Sequence, residues 1–376
     1  MANFVTPRSG GLRTALRHLG AGYGAAGHES ILIVPGAEAS EERTEQGLVI
    51  TLPGPRVPSM GGYRVLLGRR RTAALLRDLR PDRVEVSDRT TLRWVGSWAR
   101  KRDVPSMMVS HESLDGLLRL FGPAWGRRVA DRMNGRTADD YDRIVCTTRW
   151  AAAEFERIGA SNVSRVPLGV DLERFSPGRH DPVLRTRWAK PDELLLLHCG
   201  RLSAEKKPRR SLETVAALRR AGVPAVLVVA GSGPLLPMMR AEAEKHHLPV
   251  SFLGFLGDRA LLGALLATAD VVIAPGPVET FGLAALEALA SGTPVVASSE
   301  SALSEVIGSA GIAAPGDGPA YADAVLELME RPEEARRRAA REQAERFPWA
   351  AAVDGFLSAH GAASEYVSSV LGNRPA

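Results

Sequence analysis

The sequence predicts an α/β protein of two doubly wound domains, each a mostly parallel sheet with helices on both faces. Three observations carry that expectation. Strand-length apolar runs alternate with helix-length segments along most of the 376 residues. The strands of the second half are continuous apolar runs, as parallel strands buried on both faces require. Between the halves lies GVDLERFSPGRHDP (169–182), richer in Pro, Gly and charge than its flanks, which reads as an interdomain linker. The expected organisation is a first domain over 1–168, the linker, a second domain over 183–346 and a terminal segment over 347–376.

Taken in order, the first half opens with MANFVT, only enough for a truncated first strand before Pro7-Arg8-Ser9-Gly10-Gly11. Residues 11–27 have apolar positions at helical spacing and close on Gly27. Strands follow at 29–36 and 46–54. Residues 63–80 predict a basic helix closed by Pro81. Further strands are predicted over 82–88, 105–113, 141–148 and 161–169, with helices near 89–103, 114–138 and 149–159. The second half gives strands LLLLHCGR (194–201), AVLVVAG (225–231), VSFLGF (250–255), DVVIAPG (270–276) and PVVAS (294–298). From 319 the pattern is helical, and PEEARRRAAREQAER reads as a solvated helix face. Ligands in such sheets bind at the carboxyl ends of the strands, so a cleft between two such domains is the expected site.

Composition narrows the class. Hydrophobic residues are 45% and charged residues 24% of the chain, as in ordinary globular proteins. No apolar run reaches 18 residues, so no transmembrane helix is expected, and the N-terminus has no apolar signal core. A cytoplasmic location follows as the expectation. The two cysteines, Cys146 and Cys199, sit in strand-like runs and read as buried free thiols. Charge is uneven: residues 1–168 carry 26 Lys+Arg against 18 Asp+Glu, and the remainder 22 against 25. A basic first half suits an anionic membrane face or acidic acceptor. Aromatics are only 5% and no nucleic-acid motif occurs, so no nucleic acid is expected.

The most informative stretch is DVVIAPGPVETFGLAALEALASGTPVVAS (270–298), read as strand, sharp turn, helix, turn and strand. Thr280, Phe281, Gly282 and Leu283 stand at a helix start, where backbone N–H groups favour an anion. Glu279 in the turn and Glu287 on the helix are separated by about 12 Å if the path is all helical. Spacing leaves two readings open: a pair of acids bracketing a phosphate-bearing ligand, or two unrelated acids. After the strand 194–201, Arg201 and Lys206 lie across a turn. Two cations there suit a diphosphate whose charge grows as it leaves; two surface cations is the other reading. Gly231-Ser232-Gly233 lets a backbone approach phosphates or makes a turn. It does not match G-x-G-x-x-G, which disfavours a dinucleotide cofactor. Gly10-Gly11 opens the first helix, and His111 ends the strand PSMMVS. Gly-x-Ser-x-Gly and Walker A sequences are absent. No Cys/His spacing suggests a metal, and His246-His247 reads as solvated or capping.

In order along the chain, PLGVDLERFSP, GRLSAEKKP, GSGP, VSFLGF and ETFGLAALEALASGTPVVAS resemble the retaining glycosyltransferases of the GT4 family, which have the GT-B fold of two Rossmann-like domains facing across a cleft. The acids Glu279 and Glu287 have that family's E-x7-E form. The resemblance is dense over 161–316 and looser over 1–160, where SGGLRTAL, GHESILIVPG and the SHES segment carry it. It implies that Arg201 and Lys206 hold the diphosphate of a nucleotide sugar, and that Glu279 contacts hydroxyls of the transferred sugar. The Phe281–Leu283 backbone, Gly282 included, would face sugar and phosphate, Glu287 the ribose, and Phe255-Leu256 the base. The Gly231 turn would lie beside the donor, while Gly10, Gly11 and His111 face donor phosphate and acceptor. The family needs no metal and no cofactor beyond its donor substrate. Lys206 is followed by Lys207 and Pro208 where the family has Gly, which leaves two lysines able to reach the phosphate; Lys206 is kept as the phosphate-binding one. The segment 347–361 resembles the family's terminal helix, which packs back on the first domain.

The Ala/Arg/Gly-rich composition and the chain as a whole are most similar to actinobacterial mannosyltransferases that use GDP-mannose to build cell-envelope glycolipids. That resemblance implies a glycolipid or glycan acceptor, reached at the inner membrane face through Arg69-Arg70-Arg71. A solvated basic helix face is the other reading of that triplet. A UDP-glucose or UDP-N-acetylglucosamine transferase acting on a small acceptor, and a nucleotide-sugar-binding pseudoenzyme, are the alternatives.

Overall fold

The structure, a computed structural model, describes residues 1–5, 10–57, 62–119 and 123–362. The chain divides into two units: Met1–Gly169 with Trp349 onward, and Val170–Pro348.

The first unit contains α1 (Gly11–Ala25), β1 (Ile31–Gly36), β2 (Ser40–Thr44), β3 (Gly47–Pro53), α2 (Arg69–Leu79), β4 (Val84–Val86) and α3 (Trp94–Arg100). It continues with β5 (Ser106–Ser110), α4 (Leu114–Arg119), α5 (Pro123–Asp140), β6 (Arg143–Cys146), α6 (Arg149–Glu156) and β7 (Val163–Arg165). Strands β4, β5, β6 and β7 form a parallel sheet in that order. A second sheet has the order β1-β3-β2, with β1 and β3 parallel. Residues 1–3 form no strand, yet they run between the two sheets: Ala2 N donates to Ile33 O at 3.1 Å, and Ser87 N donates to Met1 O at 2.9 Å. Ile33, Ile50, Val86, Met108 and Ile144 make the buried core, each contributing about 1.5–3 kcal/mol by leaving water.

Three departures from the sequence reading have physical causes. Strand β2, SEERT, is exposed at every position and pairs antiparallel with β3, so it has no apolar pattern to find. The basic helix starts at Arg69 rather than 63, because Val65 and Leu66 are buried in extended chain and Leu66 N donates to Asn3 Oδ1. The next helix starts at Trp94 rather than 89. There the Asp88 carboxylate accepts from the amides of Thr90 and Leu92 and holds a turn.

The second unit contains α7 (Pro182–Trp188), β8 (Leu194–Cys199), α8 (Arg209–Arg220), β9 (Ala225–Ala230), α9 (Leu236–Lys245), β10 (Val250–Gly254), α10 (Arg259–Thr268) and β11 (Val271–Ala274). After these come α11 (Leu283–Ala290), β12 (Val295–Ser298), α12 (Leu303–Ile307), β13 (Ile312–Ala314), α13 (Gly318–Met329) and α14 (Glu333–Glu345). All six strands are parallel in the order β10-β9-β8-β11-β12-β13. The chain winds outward from β8 to β10 and returns to β11 beside β8. That reversal is a topological switch point, and it opens a crevice beyond the carboxyl ends of β8 and β11.

Strand β13 escaped the sequence reading because it is three residues of IAA. Helix α14 is more than a solvated face. Arg337 donates to Ala267 O at 3.0 Å, and Arg341 donates to the carbonyls of Leu172, Phe175 and Ala290 at 2.9–3.0 Å. The stretch 169–182 is ordered by these contacts and by Phe175, which is buried.

The last described helix, α15 (Trp349–Ala359), belongs to the first unit and packs on α1. His18 stacks on Trp349 with ring centroids 4.5 Å apart. Gly22 permits the close approach: a Cβ there would sit 2.3 Å from Val353 Cγ2. Residues 363–376 of the expected terminal segment lie outside the described residues.

Candidate active site

The second unit's site is built on the two strands that flank the switch point. Beyond β8, Gly200 and Arg201 lead into a short 3-10 turn, Ala204–Lys206. Leu202 is fully buried and anchors the loop from below. The neighbouring Gly231-Ser232-Gly233 turn, beyond β9, is pressed against this loop. A Cβ on Gly231 would lie 1.8 Å from Gly200 O, and one on Gly233 2.3 Å from Leu202 O. Leu202 N donates to Ser232 O and Leu235 N to Leu202 O. Among the atoms described, what these glycines meet is backbone, so they serve loop-on-loop packing first.

Beyond β11, the turn carries Glu279 to the loop from β8. Lys206 Nζ donates to Glu279 Oε1 at 2.5 Å, with both side chains about a quarter to a third exposed. A cation and an acid distant in sequence thus meet at the crevice. Phe281 is buried and packs edge-to-face on Phe347 at 5.9 Å. This pins the turn. Gly282 is left-handed at φ +80, and a Cβ there would strike Leu303 Cδ2 at 2.2 Å. Glycine therefore starts α11 tightly against α12, and Leu283 is its first helical residue.

Glu287 projects from α11 and is 6% exposed. Its Oε1 accepts from Arg259 Nη2 at 2.5 Å. Burial raises the carboxyl pKa, Arg259 opposes that shift, and Asp171 adds to it. Arg259 itself lies over the Phe175 ring, 4.9 Å from its centroid. The Cys199 thiol, at the end of β8, feels Glu287 and Arg259, and burial pushes it up to about 12. Both cysteines are free thiols; Cys146 is buried and Cys199 half-buried.

Arg259 was not among the residues singled out from sequence. One signal was there. It is the first residue of α10, just after the capping Asp258, and a cation in a helix's first turn opposes the macrodipole. An acid nearby offsets that unfavourable placement. Phe255, 46% exposed, and the half-buried Leu256 follow β10, two strands away from β8. They share the carboxyl edge of the sheet. Arg201 is half-buried at the mouth of the β8 loop.

In the first unit, Gly10 precedes α1 and is exposed with open space where a Cβ would go; Gly11 is the first helical residue. His111 follows β5 and is half-buried. Burial, with help from Arg89 and against Glu85, lowers its pKa to about 4, so the ring is neutral at pH 7. The segment after it is fixed by a buried polar network that sequence reasoning missed. Arg89 donates to Glu112 O and to Asn134 Oδ1, and it pairs with Glu154 at 3.5 Å. Glu154 accepts from Ser113 Oγ and from the amides of Leu114 and Asp115. These partners lie too far apart in sequence to form a recognisable motif.

Comparison with known proteins agrees along most of the chain. Residues 9–174 match the family model described as Glycosyltransferase Family 4, and residues 182–346 the one described as glycosyl transferases group 1. A GDP-mannose-dependent alpha-(1-6)-phosphatidylinositol dimannoside mannosyltransferase of Mycobacterium tuberculosis is 51% identical over 96% of this chain and 95% of its own. Among solved structures, sucrose-phosphate synthase from Thermosynechococcus elongatus aligns with a TM-score of 0.74 at 22% identity, covering 93% of this chain and 92% of its own. HepE of Anabaena, in complex with UDP and glucose, gives 0.72 at 17% identity over 97% of each chain. These two structures speak to the fold.

Proposed function

The chain is a glycosyltransferase of family 4 with the GT-B fold, and from that premise we propose that it moves mannose from GDP-mannose to a hydroxyl of a phosphatidylinositol mannoside glycolipid, with retention at the sugar's C1. The 51% identity to a mannosyltransferase of that donor and acceptor class, over nearly the full length of both chains, carries the reading.

Arg201 and Lys206 hold the donor diphosphate, and Glu279 takes hydroxyls of the mannose. Before donor arrives, Lys206 and Glu279 neutralise each other; on binding, the lysine turns to phosphate and the acid to the sugar. The bond from C1 to the phosphate oxygen breaks and its electron pair stays on the diphosphate. Two cations and the start of α11 offset the charge that develops there, and no metal is required for it. The acceptor oxygen attacks C1 from the same face, and its proton passes to the departing phosphate oxygen. Glu287 accepts from the ribose hydroxyls, with Phe255 and Leu256 beside the base. Gly231 supports the phosphate-binding loop. Gly10 and Gly11 present the amide end of α1, and His111, neutral at pH 7, contributes a hydrogen bond to acceptor or phosphate rather than a charge.

No helix among the described residues is long and apolar enough to cross a membrane. We propose peripheral binding as the route to a lipid acceptor. The exposed Arg70 and Arg71 of α2 suit an anionic bilayer, while Arg69 lies over the Trp94 ring at 5.2 Å. The test is release of GDP from GDP-mannose with phosphatidylinositol mannosides as acceptors, beside UDP-glucose and UDP-N-acetylglucosamine. Turnover of UDP-sugars alone removes the mannose assignment.

A further inference from the structure

We propose that Arg259 is a positioning residue of the donor site: its guanidinium fixes which oxygen of Glu287 faces the donor ribose. This rests on the reading of Glu287 as the ribose-binding acid.

The geometry is that of a clamp. Asp258 accepts from the amides of Ala260 and Leu261 and so fixes the start of α10. Gly263 lets α10 lie close to the 174–175 chain: a Cβ there would be 3.0 Å from Arg174 O. Phe175 is buried, its carbonyl held by Arg341, and its ring supports the Arg259 guanidinium. The guanidinium bonds Oε1 of Glu287. One oxygen is thus committed, and in the proposed role the other meets the ligand diol.

The charges point the same way. The Glu287 side chain is 8% exposed and that of Arg259 33%, so the acid is inside and the cation at the rim. The other groups facing the acid are Asp171, which is acidic, and the Cys199 thiol, which is neutral at pH 7. Arg259 alone opposes protonation. Without it the carboxyl pKa rises further, and a protonated carboxyl loses one acceptor for the diol.

The test compares GDP with 2′-deoxy-GDP by calorimetry between pH 6 and 9, using wild type, Arg259→Met, Arg259→Lys and Glu287→Gln. Arg259→Met should weaken GDP binding about tenfold at pH 7, one charge-assisted hydrogen bond's worth. It should also lose the preference for the ribonucleotide and regain it toward pH 9. Arg259→Lys should retain most of that preference, and kcat at saturating donor should change by less than about twofold, since ground-state and transition-state binding fall together. Unchanged binding in Arg259→Met, with preference lost in Glu287→Gln, overturns the role of Arg259. Unchanged preference in both overturns the ribose reading of Glu287 as well. A loss in Arg259→Met that is equal at pH 6 and pH 9 marks a purely steric support and also overturns the proposal.

Discussion

Replacing Lys206 with Met separates the chemistry of this site from its stability. The lysine bonds Glu279 with both side chains partly in water, and an ion pair so placed contributes about 0–1 kcal/mol to folding. For the second unit, Val170–Pro348, that predicts a fall in Tm of no more than about 2–4 °C. In the proposed role, facing a departing diphosphate, the same ammonium contributes far more. Removing one preorganised donor from a developing anion costs about 2.7–4 kcal/mol, or roughly 10²–10³-fold in rate. Lys207→Met is the internal control. Lys207 already holds a left-handed backbone at φ +47, so exchanging one straight side chain for another adds no strain, and its rate should stay within about threefold of wild type. Timed GDP release at saturating GDP-mannose gives kcat, and calorimetric melting gives Tm. A Lys206→Met enzyme within about threefold of wild type refutes the assignment. So does a Lys207→Met enzyme that falls as far as Lys206→Met.

Gly231→Ala should destabilise the second unit by about 3 kcal/mol or more, read by urea unfolding, because its Cβ meets a backbone oxygen at 1.8 Å and neither loop can yield cheaply. Arg341→Leu should cost about 2–4 kcal/mol in the same measurement, since three carbonyls lose their donor. Two histidines, the half-buried His111 and the buried His198, have pKa values lowered by desolvation to about 4. Between the unfolded value of about 6.5 and 4 the unfolded chain binds more protons, so stability falls as pH drops through that window and levels off below it. His198→Asn should flatten that fall by about 3 kcal/mol relative to wild type, and an unchanged slope between pH 7 and pH 4.5 speaks against it.

The strands of the second unit were legible because burial on both faces writes an unbroken apolar run, as in Ala225–Ala230, where every residue is buried. Strand β2 was not, since a fully exposed edge leaves no periodicity. Local polar contacts moved helix starts by several residues, as Asp88 does at 89–93, because a side chain can take amides that the helix would otherwise use. In the site, Lys206 and Glu279 were each visible as polar residues just past a strand. Their contact depends on β8 lying beside β11, which no local pattern records. The pairing of Arg259 with Glu287 joins two helices, and the Arg89, Asn134 and Glu154 network joins three segments. Such contacts belong to tertiary packing, where sequence separation carries no signal.

The return of α15 to α1 sets an order of events during synthesis. The helix that covers His18 and Gly22 leaves the ribosome more than 300 residues after them, roughly 15–65 s later at ordinary rates of elongation. Throughout that interval the α1 face lies bare, while Val170–Pro348, continuous in sequence, can fold as it emerges. The two ends of that inserted unit are already joined, Val170 N donating to Phe347 O at 2.9 Å. The nascent chain can therefore complete its middle before the last helix closes on its beginning.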